Sequence, residues 1–200
     1  MTKKRSIYTS SLKDKNWLCA CKKAKDPSED IVVDERFAQF YAPEQNTVQL
    51  LKDGRTAKNL KQGLTACVLG VHSYSSGIHR IRIKIESGNP YLLIRSRNIL
   101  PVPDMDQCGQ YMFSASTYGW GPSNSRFFNG ARRLMAEKQI IKHTNTYTIT
   151  LNCDERHISI INENTNEYDK IEVDVNYAPL PWCLFIALPA TKAEVSLLSK

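Results

Sequence analysis

The sequence predicts an all-β protein: an antiparallel sandwich or jelly roll preceded by a basic N-terminal extension. Three observations carry this. Residues 79–85 read His-Arg-Ile-Arg-Ile-Lys-Ile, so isoleucines alternate with cations at period 2, the mark of a strand with one dry and one wet face. A dozen or so short apolar stretches follow one another, with turn residues every 8–12 positions and few helical signals. No repeat of 20–50 residues appears, which disfavours propellers and solenoids.

The strands are placed in chain order. Residues 1–30 are polar, Lys- and Ser-rich, with Trp17-Leu18 as an apolar anchor, and form an extension, partly disordered, that ends at Asp26-Pro27. The globular domain spans 31–200. Residues 37–41 suit a short helix or strand. Residues 47–51 form a strand closed by the turn Lys52-Asp53-Gly54-Arg55, and 66–71 a buried strand. After the loop 73–77 come strand 79–86, the turn Ser87-Gly88-Asn89-Pro90 and strand 91–97. A long loop with two prolines, 100–109, leads to weaker strands at 111–116 and 126–128, around Gly119-Trp120-Gly121-Pro122. A short apolar stretch at 140–143 precedes the alternating strand Thr146–Asn152. It pairs with 157–161 across the turn 153–156. Ile171, Val173 and Val175 alternate again, Trp182–Leu188 is a buried strand, and Glu194–Leu198 closes the series.

Two hundred residues with 42% apolar content suit one domain with a real core. No 18-residue apolar run exists to span a bilayer, and no apolar segment follows the basic start as in a secretory signal. A cytoplasmic location is expected, with the nucleus as the alternative. Residues 1–25 hold eight cations against Asp14, whereas the remainder is balanced, so the charge of +7 belongs to the extension. Residues 3–25 offer a weak, salt-sensitive contact to anions or nucleic acid, although such a stretch is more often only a solvated terminus. The six cysteines lack zinc or disulfide spacing, and Cys67 and Cys183 sit in apolar runs as core thiols.

No phosphate-cradling loop, dinucleotide fingerprint or nucleophile elbow appears. His72, His79, His143 and His157 are scattered, and Asp104-Met105-Asp106 lacks the further oxygens a calcium site requires. The expectation is a protein without catalytic residues, metal or cofactor.

Five segments, in order, resemble those of SPRY domains. Gly77-Ile78-His79 leads into the alternating strand. Ser116-Thr117-Tyr118-Gly119-Trp120 and Phe128-Asn129-Gly130 follow. Tyr147 to Ile160 is similar to the family's paired strands, and Leu180-Pro181-Trp182 through Leu188 to its closing strand. The resemblance covers about Val32 to Ser199. It departs where the family's Trp is Ile81, where the next acidic residue is Arg82, and where an Asn-Gly turn is Asn164-Thr165-Asn166. The resemblance implies a bent, concanavalin-like sandwich that binds short peptide segments of partner proteins at its loop end. Family members often serve as recognition arms of ubiquitin ligases or immune sensors.

Two sites follow. The first is the loop end: Asp53 and Arg55 as polar pins, Tyr111 as a wall, and Leu188-Pro189 where the family lines its pocket. Asp53-Gly54-Arg55 also reads as a plain turn and Tyr111 as a core or rim aromatic. The second is an anion or carbohydrate face. Arg80, Arg82 and Lys84 project about 6.6–7 Å apart from one side of their strand. If 79–86 and 91–97 form a hairpin, Arg95 and Arg97 join them. The protein's own acids are the competing cover for this row. A capsid-like scaffold is a third, weaker reading, and the oligomeric state is open.

Overall fold

The computed structural model describes residues 34–39, 47–61, 63–102, 111–136, 140–189 and 192–199. The expected extension at 1–30 and the Asp104/Asp106 pair lie outside the described residues, as do Cys19, Cys21 and Cys108.

Among the described residues fourteen strands run in chain order: β1 (Phe37–Gln39), β2 (Val48–Leu51), β3 (Thr56–Asn59), β4 (Ala66–Gly70), β5 (Ile78–Ser87), β6 (Tyr91–Ser96), β7 (Tyr118–Gly121), β8 (Ser125–Phe128), β9 (Ala131–Leu134), β10 (Thr146–Asn152), β11 (His157–Asn162), β12 (Tyr168–Glu172), β13 (Trp182–Leu188) and β14 (Glu194–Leu198). They form two seven-stranded antiparallel sheets. The first has the order β12-β11-β10-β5-β14-β3-β2, the second β1-β4-β13-β6-β7-β8-β9.

The alternation in β5 builds the first sheet. Ile81, Ile83 and Ile85 are buried and face inward, and β10 sets Ile149 beside Ile81 and Tyr147 beside Ile83. Ile158, Ile160, Ile171, Val195 and Leu197 extend this floor. The second sheet answers with Leu92, Ile94, Tyr118, Trp120, Trp182, Leu184, Ile186 and Leu188. β13 is buried along its whole length because both faces are covered. Its other face holds a second cluster: Cys67, Leu93, Met112, Phe127, Phe185 and Ala187. A polar link at the β12 edge helps tie the layers together. Asp169 of β12 accepts from Trp120 Nε1 at 2.7 Å and from Arg126 Nη2 at 2.8 Å.

Several expectations need correction. Strands β5 and β6 do not form a hairpin, since residues 88–90 carry the chain from one sheet to the other. Gly88 makes this crossing with φ +77°, where a Cβ would lie 2.7 Å from Ala193 Cα. Residues 111–113 form a 3-10 turn that lays Met112 on the second cluster. Residues 118–121, for which the sequence predicts no strand, form strand β7, and no strand forms at 140–143. Strands β3 and β9 show no clear pattern in the sequence, since Thr-Ala-Lys-Asn and Ala-Arg-Arg-Leu hold few apolar or β-branched residues. Ile171 lies in β12, whereas Val173 and Val175 follow its end.

Candidate functional site

One end of the sandwich gathers residues 34–36, 52–55, 71–77, 97–102, 153–156 and 173–181. Backbone hydrogen bonds lace these loops to one another. Val71 N donates to Arg36 O (2.9 Å), Phe37 N to Gly54 O (2.7 Å), Arg97 N to Pro181 O (2.8 Å), Cys153 N to Gly77 O (3.0 Å) and Val173 N to Arg156 O (2.9 Å). Tyr74 and Trp182 exchange two bonds of 2.8 Å. Buried backbone groups need such partners, so the loops are fixed by one another rather than by separate hairpins.

Glu35 stands at the centre of this rim and is 5% exposed. It accepts from Arg36 N (3.1 Å), from His72 N (3.3 Å) and from the Tyr74 hydroxyl, and His72 Nδ1 lies 3.3 Å away. These contacts offset the cost of burying a carboxylate. Burial, and then the Glu35 charge, drive the Tyr74 phenol far above its ordinary pKa. That suits a structural tie and not a proton acceptor. The Tyr74 ring lies 4.6 Å from that of His79, whose Nε2 is 2.7 Å from Ser76 O. Since a carbonyl only accepts, Nε2 carries the proton. Arg97 reaches the same rim, donating to Gly70 O and Val71 O at 3.0 Å each. Around this fixed centre Val71, Leu100, Val102 and Tyr177 stand 40%, 73%, 67% and 55% exposed.

The residues singled out from the sequence do not converge. Asp53 and Arg55 lie at this end, in a turn where Asp53 has φ 55° and Arg55 pairs with Asp34 at 2.8 Å. Leu188 and Pro189 lie at the opposite end. Asn59, the last residue of β3, donates to the carbonyls of Leu188 (3.0 Å) and Pro189 (3.3 Å), whereas Arg55 precedes the first residue of that strand. Leu188 is also fully buried, because its side chain faces the main core. Tyr111 packs on the second cluster, on the outer side of the second sheet. The proposed anion row likewise breaks up. Arg82 binds both oxygens of Glu163 (2.8 and 2.7 Å), and Lys84 pairs with Glu86 at 2.7 Å. Arg95 belongs to β6 of the other sheet, and Arg97 follows the end of that strand. Arg80 alone stays exposed with no acidic partner among the described residues.

Glu35 carries no pattern in the sequence that distinguishes it from a solvated acid. Leu100 and Val102 did leave a signal: Leu-Pro-Val-Pro places two apolar side chains in a loop where polar residues are the rule. Burial pushes the Cys67 thiol up to about 12 and Cys153 to about 11, so neither is poised as a nucleophile.

No protein-family model matches the sequence, and a search of curated proteins returns no match. Solved structures do match in fold. The SPRY domain of human HERC1 has a TM-score of 0.59 at 12% identity, covering 76% of this chain and 92% of that one. The PSpry domain of TRIM65 has a TM-score of 0.59 at 10% identity, covering 87% and 96%. Stonustoxin has a TM-score of 0.57 at 12% identity, covering 76% of this chain and 25% of its own. The two seven-stranded antiparallel layers are therefore those of a SPRY-like fold.

Proposed function

We propose that this domain is a protein-interaction module without catalytic chemistry of its own, which takes a short peptide or loop of a partner at the Glu35 end. One observation carries the reading. Four large apolar side chains, Val71, Leu100, Val102 and Tyr177, stand in water on loops whose backbones are tied together. Burying a Leu or Val side chain stabilises a complex by about 1.5–3 kcal/mol before other terms are subtracted. Ordering the loops in advance lowers the entropy lost on binding. Asp34, Arg36 and Arg55 add polar groups at the margin. In a larger assembly, such as a ubiquitin ligase, such a module serves as the substrate-recognition arm.

The test is affinity capture of protein partners with the unaltered chain and with Leu100→Asp/Val102→Asp. The expected result is a partner whose affinity falls at least about tenfold in the variant. Binding of glycans with no protein ligand, or turnover of a small molecule, overturns the reading. The anion-receptor alternative loses its main support, because the five cations do not share a face.

A further inference from the structure

We propose that strand β9, at the outer edge of the second sheet, is a docking site for an extended acidic segment of a partner protein, which adds to the sheet as a further strand. The first ground is exposure. All four residues of β9 are exposed, and Leu134 is 70% exposed. Asp169 of β12, the edge of the facing sheet, bonds Trp120 of β7 and Arg126 of β8. The facing sheet thus ends over β7 and β8, and β9 overhangs it.

The second ground is a free backbone edge. Strands β8 and β9 are joined by the two-residue turn Asn129-Gly130, with φ 51° and 80°. In such a hairpin the closing pair, Phe128 and Ala131, exchanges both hydrogen bonds. Arg133 therefore also faces β8, while the N–H and C=O of Arg132 and Leu134 point away from it. Neither has a backbone partner among the described residues.

The third ground is charge. Elsewhere the exposed cations tend to be covered: Arg82 by Glu163, Lys84 by Glu86, Lys58 by Glu194, Lys170 by Glu172. Arg132 and Arg133 have no acidic partner among the described residues, and Arg133 instead lies over the Phe128 ring at 5.1 Å. Successive strand residues point to opposite faces, so the two guanidinium groups flank the open edge on both sides. Two adjacent acids in an added strand match them, one on each face. A second copy of β9 does not, since arginines would meet arginines across the antiparallel pair. The occupant is therefore a foreign strand with neighbouring Glu or Asp residues set among β-branched ones, held by main-chain bonds and specified by charge.

The test uses fluorescence anisotropy of a labelled peptide, Thr-Val-Thr-Glu-Glu-Val-Thr-Val, titrated with the full chain. Binding is expected to weaken at least about tenfold in Arg132→Glu/Arg133→Glu. Leu134→Pro removes one outward N–H without touching charge, and a comparable loss is expected there. Arg80→Glu, on the other sheet, should leave affinity unchanged. Three outcomes overturn the proposal: no binding up to millimolar peptide, full affinity in the double variant, or full affinity in Leu134→Pro, which would reduce the contact to unspecific charge attraction.

Discussion

Strands β5 and β6 follow each other in the chain and both carry cations, yet the cations meet opposite fates. On β5, Arg82 and Lys84 lie on the wet side of the first sheet and are neutralised by Glu163 and Glu86. On β6, Arg95 is 1% exposed. Its Nη1 donates to Ser114 Oγ (3.0 Å), its Nη2 to Ile99 O (2.8 Å), and its guanidinium lies 5.6 Å from the Phe185 ring centroid. No carboxylate reaches it among the described residues. Burial pulls its pKa down to about 10, which leaves it charged at neutral pH. The difference teaches that an Arg in a strand is specified less by its neighbours in sequence than by what covers that face. On the outer side of the first sheet Arg82 and Lys84 stay partly exposed, whereas the 3-10 turn at 111–113 lies on that of the second.

The largest expected effect is at Arg95. Arg95→Glu places an acid against carbonyl oxygens and should cost at least about 4 kcal/mol, read by urea denaturation. Arg95→Met leaves Ile99 O and Ser114 Oγ unpaired and should cost about 1–3 kcal/mol. If Arg95→Glu instead costs no more than Arg82→Glu, the contrast between the two strands collapses. Next comes the crossing that separates them. Gly88→Val forces a β-branched residue into positive φ and against Ala193, and should cost about 3 kcal/mol, seen as a fall in Tm; Gly88→Asn should cost less.

On β5 the effects are small. Glu163→Gln should cost only about 0.5–1 kcal/mol, as half-exposed pairs do. The hydrogen bond from Arg82 holds the Glu163 carboxyl below its ordinary pKa. Its contribution is therefore complete above the unfolded carboxylate pKa of about 4.3 and is lost as pH falls through the lower folded value. The stability gap between the unaltered chain and Glu163→Gln should close below about pH 4, in urea titrations across pH. Arg80→Ser, which removes an exposed cation, should change stability by less than about 0.5 kcal/mol.

How much was legible follows the same division. The main strands were readable wherever one face is wet and the other dry, as in β5 and β10, because alternation reports that asymmetry directly. Strand β13 was readable as a continuous apolar run. Strands β3 and β9 were not, since Thr-Ala-Lys-Asn and Ala-Arg-Arg-Leu hold too few β-branched or apolar residues to show a period. Residues 118–121 misled because Gly119 and Gly121 look like turn residues, yet a Cβ at Gly119 would lie 2.4 Å from Leu92 O, so the glycine serves close packing between strands. In the candidate site Asp53 and Arg55 lie at the Glu35 end, while Leu188 and Pro189 lie at the other. Their place depends on strand direction within the sheet, which no local pattern encodes.

By itself the sequence determined the class of fold, the inward faces of the long strands and the burial of Cys67 and Cys183, because hydrophobic periodicity and apolar runs are local properties. Only the tertiary structure decided that β6 leaves the sheet of β5, that Glu35 is buried beneath His72 and Tyr74, and that β9 overhangs its neighbours. Each of these depends on which distant segment arrives to cover or abandon a surface. That choice is made by the sum of long-range packing, not by any residue's immediate neighbours.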